Sequence, residues 1–341
     1  MQFDGVFPRD KLPLSFILTI GVRWFIGLLG FVLNFSLVYV TWKTKKFRQL
    51  CNSLIAANAF FSGLFGLSLS IGWAFILAGQ PFMFEGHCVV LQAVPLLCRN
   101  LGLNLLFWIG FDRLISALFM NSFLHRHNSF YYLLITIGSA SHAGYIVVTV
   151  IGMAIDYPDH INLCSTHDDT YVGPTALTLM LVNVILSAII FLVYVLLALV
   201  VKFKKETSVN SEVTRRLLCS LMAIMFVVVA GFTLNNFVNV LYSLLDTNIT
   251  AITKAYTSMA LSCLMAIAYA SNAPLLIMFS TEYRKAYLRT FGPFLERLHL
   301  NTAAMSGAQK VQQTINNNNS KTVRHPQKKI IRNLAKVSPM G

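Results

Sequence analysis

The sequence predicts an all-α membrane protein, a bundle of seven transmembrane helices. Three observations lead there. Of 341 residues, 56% are hydrophobic and 12% charged, with a mean hydropathy of +0.64. Average soluble domains carry roughly 25% charge, about twice as much. Seven segments reach the ~20 mostly apolar residues that a helix needs to cross hydrocarbon. The polar breaks between them alternate in charge.

The segments run over 14–42, 50–78, 88–120, 130–155, 172–201, 216–245 and 255–279. The breaks are rich in turn and polar residues: KTKKFR, GQPFMFEGH, NSFLHRHNS, DYPDHINLCSTHDD, KFKKETSVNSEVT and LDTNIT. Lipid offers no partner to an open sheet edge, so the segments are helices. Their continuous apolar runs lack the alternation of barrel strands. The opening MQFDGVFPRDKLPLSF does not read as a cleaved leader, so the first span is expected to insert uncleaved.

Orientation follows from Lys and Arg. The odd breaks hold Lys43, Lys45, Lys46 and Arg48, then Arg126, then Lys202, Lys204, Lys205, Arg215 and Arg216. The even breaks hold acids instead, among them Glu85, Asp156, Asp159, Asp168, Asp169 and Asp246. Seven spans then place the N-terminus outside and the C-terminus inside. On that reading 22 of the 27 basic residues lie on the cytoplasmic side, against 5 of the 13 acids. The net charge of +14 is therefore a topology signal, and its scatter between helices argues against nucleic acid. Residues 1–13 read as an extracellular N-terminus, 14–291 as the membrane domain and 292–341 as a cytoplasmic tail. The tail's composition, with NNNNS and KTVRHPQKKIIR, predicts disorder. In STEYRKAYLRTF, Tyr283, Tyr287 and Phe291 recur at i, i+4 and i+8, with Arg284, Lys285 and Arg289 elsewhere on the wheel. That pattern predicts an amphipathic eighth helix on the inner leaflet.

Asp112 and Arg113 sit together at the cytoplasmic end of span three, in IGFDRLISALF. Charge at membrane depth is costly and marks function by default. At 1.5 Å per residue, Cys88 lies roughly 37 Å up the same helix, across the bilayer. Cys164, in the fourth break, lies on that same oxidising side, where a disulfide to Cys88 is expected.

With these residues placed, the chain resembles a rhodopsin-like G-protein-coupled receptor. In detail it is most similar to the nematode serpentine chemoreceptors, the Srsx class or a close relative. The resemblance rests on GFVLN ending at Asn34, FRQLCNSLI at 47–55, IGFDRLISALF at 109–119 and SNAPLLIMFSTEYRKAYLRTF at 271–291. It implies a chemosensory receptor in the plasma membrane, with a heterotrimeric G protein, an extracellular small molecule or peptide, and membrane lipid as partners. Arg113 would be held at rest by Asp112 and by Glu212 at the foot of span six, then released when span six swings outward. Tyr194 on span five could reach the same region, and Asn272 and Pro274 stand where the family's span-seven switch motif lies. The chain departs from the family pattern at Leu114, at Ser62 in place of the span-two acid, in the absence of a mid-span-four Trp, at Ala230 and Phe232 in span six, and at Ala273 and Ile277 in span seven.

Candidate ligand residues come from the outer half of the bundle, where such sites form. Arg99 lies 14 residues from Arg113 on span three, close to four turns, so both face the interior. An intramembrane Arg costs about 2.5–3.5 kcal/mol on insertion scales and needs a partner. The alternatives are an anionic ligand, an outer-loop carboxylate such as Asp168 or Asp169, or internal pairing with Asn100, Asn104 or backbone carbonyls. Gln92, Asn235 and Asn239 could line the same cavity or serve helix contacts. Arg23, His142, Trp24 and Trp73 read as bundle-packing or interface residues. Asn248 begins an outer-side sequon.

An embedded enzyme would need convergent catalytic groups, and the spans supply essentially one acid, Asp112. No catalytic, metal or cofactor set is expected. A transporter or channel would show internal repeats or broken helices, and neither is found. A diverged receptor-like protein without G-protein signalling is the other alternative.

Overall fold

The structure is a computed structural model that describes residues 12–47, 49–118, 128–165, 167–203, 211–244 and 250–297. The expectations for the segment before residue 12, for 125–127, for the Asn248 sequon and for the tail beyond 297 lie outside these residues.

Nine α-helices form among the described residues: α1 (Leu14–Lys43), α2 (Leu50–Leu77), α3 (Glu85–Leu118), α4 (Asn128–Asp156), α5 (Thr175–Phe203), α6 (Ser211–Leu244), α7 (Ala251–Ala270), α8 (Asn272–Phe279) and α9 (Thr281–Arg297). The helices α1 to α5 are each long and apolar enough to cross a membrane, and α7 with α8 forms a sixth such unit, bent by 46° at one residue. The 34-residue α6 carries a shorter apolar stretch, Phe226–Tyr242.

Sequence neighbours pack side by side from α1 to α4 and from α5 to α7, and α1 packs against α7. The helix α3 also touches α5, which puts it at the centre. In its most apolar stretch 67% of residues are buried, against 28–33% for α1, α2, α4 and α5. That difference lets span three carry Gln92, Arg99, Asn100, Asn104 and Asp112, all of which are buried. They face protein, while the other helices turn Leu, Ile, Val and Phe outward.

Glycine sets the closest approach in the bundle. A Cβ added to Gly27 of α1 would stand 2.6 Å from the Gly66 carbonyl of α2, and one on Gly66 would stand 2.6 Å from the Gly27 carbonyl. Backbone meets backbone there, as small residues permit in membrane interfaces. Trp24 reinforces the seam by donating to Ser70 Oγ at 3.0 Å and stacking on Trp73. Gly27→Val is expected to force the two helices apart, at a cost of about 1–3 kcal/mol. A lower thermal midpoint of the purified chain in detergent would show it, and an unchanged midpoint would refute the contact.

Span seven differs from the single helix predicted over 255–279. Proline has no N–H and its ring crowds the carbonyl four residues back. Pro274 therefore leaves the Ala270 carbonyl without its helical bond, and α7 ends there. Ser271 Oγ donates to Ala268 O at 2.6 Å, and Asn34 of α1 donates to Tyr269 O at 3.0 Å, so side chains satisfy carbonyls at the break.

At one end of the bundle, β1 (Met83–Phe84) pairs antiparallel with β2 (Ile161–Asn162). This ties the α2–α3 connection to the α4–α5 connection. The latter is unusually buried for a loop: Leu163, Cys164, Ser165, Thr170 and Tyr171 are all 2% exposed or less. Leu163 packs with Phe16, Ile20, Ala255 and Met259 of α1 and α7.

The compact bundle unit extends to Ala286, and Tyr287 onward forms a second unit. In the first, Tyr283 stacks on Phe47 and its hydroxyl donates to Asn52 of α2 at 3.3 Å. Arg284 donates to the Ile277 and Met278 carbonyls, capping α8. In the second, the rings of Tyr287 and Phe291 meet at a tilt, their centroids 5.7 Å apart. The helix α9 continues to Arg297, beyond the boundary predicted at 291. Leu, Glu and Arg around Pro293 are good helix formers and carry it across.

Candidate functional site

Two polar regions lie inside the bundle, one at each end of α3. At the Arg113 end, Asp112 is buried and Arg113 is partly exposed, and their nearest charged atoms are 4.0 Å apart. That is the outer limit of an ion pair. The closer partner of Arg113 is Cys51 of α2, whose sulfur accepts from Nε at 2.7 Å. The guanidinium is thus held chiefly by a neutral thiol on a neighbouring helix rather than by the adjacent carboxylate. Nothing in the local pattern of the sequence marked Cys51. Glu212 lies in the first turn of α6, and its side chain is outside the described residues.

One turn towards the middle, Tyr194 of α5 is buried and donates to Leu106 O of α3 at 3.1 Å. Gly110 makes room for it, since a Cβ there would stand 2.5 Å from the Tyr194 ring. Tyr194 therefore joins spans three and five beside Arg113. Gly110→Ala is expected to expel the ring and separate α5 from α3, at a cost of about 1–3 kcal/mol. Tyr194→Phe should cost only about 1 kcal/mol, one hydrogen bond. Thermal midpoints in detergent check the order, and a Tyr194→Phe loss equal to that of Gly110→Ala would contradict it.

Asn272 lies further up. Its Nδ2 donates to Asn58 Oδ1 and to Ser62 Oγ, both at 3.3 Å, and Asn58 donates to Gly102 O of α3 at 2.7 Å. This junction links α2, α3 and α8. Pro274 contributes the break rather than a contact.

At the other end Cys88 and Cys164 form a disulfide, with their Cα atoms 5.5 Å apart. Gln92 Nε2 is 3.9 Å from the Cys164 sulfur. Arg99 is fully buried. It donates to the Tyr171 hydroxyl at 3.3 Å, and its guanidinium lies 4.4 Å from the centre of the Phe232 ring. A cation over an aromatic face is stabilised by the ring quadrupole. Arg99 so connects span three with span six and with the buried loop. Asn100 donates to Leu96 O. Asn104 donates to Asn100 O and meets His142 Nδ1 of α4 at 2.9 Å. Asn235 and Asn239 are both buried on α6. Asp169 accepts from the Ser165 N–H and hydroxyl, each at 2.9 Å. The side chain of Asp168 is outside the described residues. Glu85 is buried at the head of α3 and bonds Asn162, which also donates to Asp169 O at 2.7 Å.

Arg23 does far more than pack. It is buried on α1 and donates to Ser165 O at 2.7 Å, Ser262 Oγ at 3.1 Å and Met259 Sδ at 3.2 Å. A signal existed, because the insertion cost that singles out Arg99 applies equally to Arg23. Phe232 and Tyr171 carried none, as aromatic residues in apolar surroundings are common.

Helices this apolar can form a bundle only in lipid, and a central helix that buries charge at one rim and is stapled at the other belongs to seven-transmembrane receptors. Over residues 25–291 the chain matches the serpentine type 7TM GPCR chemoreceptor Srsx family, and it belongs to that family. No individually curated protein matches it.

Proposed function

We propose that this chain is a chemosensory receptor of the plasma membrane that binds an extracellular small molecule or peptide and activates a heterotrimeric G protein. Its N-terminus would be outside, its C-terminal tail in the cytoplasm, and α9 would serve as the surface-lying eighth helix. The observation that carries the reading is the seat of Arg113: a partly exposed guanidinium at the rim, held by one soft hydrogen bond to Cys51 and a long contact to Asp112. Such a contact can be exchanged for another acceptor at small cost, as a ligand-biased two-state element requires. Tyr194 and the Asn272 junction connect that rim to α5, α2 and α8. Arg99, with Gln92, Asn235 and Asn239, would form the ligand-sensing upper region. Through Phe232, Arg99 connects it to span six.

The test is nucleotide exchange on co-expressed G proteins, with small odorants and peptides screened on cells bearing the chain. Arg113→Ala should abolish the response at normal surface expression. Arg99→Gln should weaken it if the ligand engages that cation. A response that survives Arg113→Ala would overturn the coupling role. An unchanged response in Arg99→Gln would remove Arg99 from ligand sensing. Epitope labelling of intact cells that placed the N-terminus in the cytosol would overturn the orientation.

A further inference from the structure

Glu85 opens α3 with its side chain wholly buried. It precedes the span at 88–120, and its N–H donates to the His160 carbonyl at 2.8 Å, so it is pinned where β1 meets β2. Its Oε2 accepts from Nδ2 of Asn162, which is equally buried. The second N–H of that amide donates to Asp169 O at 2.7 Å. Both amide hydrogens are thus spent on acceptors. This fixes which end of the Asn162 side chain is nitrogen, since a reversed amide would set oxygen against two acceptors. Two atoms are left over. Glu85 Oε1 and Asn162 Oδ1 are both buried without a hydrogen-bond partner among the described residues. Each belongs to one half of a pair already joined at its other atom, and both are acceptors. Buried polar groups are hydrogen-bonded in almost all native proteins. A buried carboxylate that lacks a partner for its charge takes up a proton instead.

We propose that Glu85 and Asn162 form a proton-binding site, in which a proton on Glu85 Oε1 is donated to Asn162 Oδ1. Acid and amide then share two parallel hydrogen bonds, Nδ2–H to Oε2 and Oε1–H to Oδ1, and one proton satisfies both open atoms. Its loss to water leaves a carboxylate oxygen against an amide oxygen. The titratable groups nearby are Asp169 on the 167–170 turn, Asp159 and His160 before β2, and His87 on α3. Arg23 of α1 reaches the same segment at Ser165 O, and the side chains of His167 and Asp168 lie outside the described residues. The Ser165 N–H and hydroxyl hold Asp169 as an acceptor, so its negative charge disfavours a second one beside it. Burial pushes the Glu85 carboxyl up to about 7, the chain's amino group opposes the rise, and Asp169 adds to it. The stability that the proton supplies is therefore full below about 4.3, the ordinary glutamate value, and is lost as pH rises to about 7. Asn162 and Asp169 flank Cys164 and Ser165, in the segment whose Tyr171 meets Arg99, so loss of the proton loosens a segment that also bears on span three. The binding claim needs no G protein and stands apart from the coupling proposal.

Thermal midpoints of the full chain in detergent, followed from about pH 5 to about pH 8 beside those of Glu85→Gln, test the site. Glutamine keeps both hydrogen bonds and has no proton to lose. The unaltered chain should lose about 5 °C over that range beyond any change shared with Glu85→Gln. Histidine contributions are common to both chains and cancel. Should Glu85→Gln fold poorly, infrared difference spectra of the unaltered chain keep the test sound. A carboxylic-acid carbonyl band should be present at about pH 5.5, vanish by about pH 8.5 and shift in Asn162→Ala, where the acid loses its partner. Parallel pH profiles for the two chains, the absence of that band, or a band indifferent to Asn162→Ala would overturn the proposal. Stabilisation by sodium or calcium chloride that disappears in Glu85→Gln would overturn it too, because the occupant would then be a metal cation.

Discussion

Cys88→Ser is expected to lower the thermal stability of the chain by about 2–4 kcal/mol, the usual worth of a disulfide, and to cut its delivery to the cell surface. The bridge spans a sequence separation of 76 residues, and a longer loop gives a larger entropic gain when closed. More depends on it than chain entropy, because Cys164 lies in the segment that fills the space between α1, α7 and the head of α3. Leu163 and Ser165, its neighbours, are buried against those helices. Cys164→Ser should match Cys88→Ser, and the double variant should be no worse than either single, since one bond is lost in each case. Thermal midpoints with and without reductant measure this. Additive losses in the double variant, or indifference of the unaltered chain to reductant, would contradict the account.

Arg23→Ala is expected to cost about 3 kcal/mol or more. It removes two hydrogen bonds from a charged donor to oxygen, each worth about 1.5–3 kcal/mol, and strands the Ser165 carbonyl in a dry interior. Lysine should rescue little, because a single ammonium cannot reproduce a planar fork that reaches Ser165, Ser262 and Met259 together. Arg23 and the disulfide hold adjacent residues of one segment from opposite sides, one from α1 and the other from α3. Combining Arg23→Ala with Cys88→Ser should therefore lower the midpoint by more than the sum of the two. Strict additivity would show that the two anchors act independently.

The spans were legible because hydrocarbon demands long apolar helices, a demand written locally in the chain. Cys88, Cys164, Asp112 and Arg113 stood out for a similar reason, since thiols and charges are conspicuous against an apolar background. What escaped was pairing across helices. No pattern along FRQLCNSLI says that Cys51 will meet Arg113, and none along span six says that Phe232 will lie under Arg99. The burial of residues 162–165 and 169–172 also escaped, because the DYPDHINLCSTHDD composition reads as an exposed loop. The break in span seven was partly within reach: Pro274 was noted only for its place in a motif, although its ring removes the bond to the Ala270 carbonyl; Pro95 and Pro293 sit inside α3 and α9 without ending them, so proline alone does not fix a break.

That break has a mechanical consequence. A continuous helix transmits torsion along its whole length through its backbone ladder, but here the ladder is severed after Ala270. The eight residues beyond it can roll about their own axis without turning the twenty before. What passes between the two pieces is set by a few amides, Asn34 on one side and Asn272 on the other, so the stiffness of the joint can be tuned by single side chains.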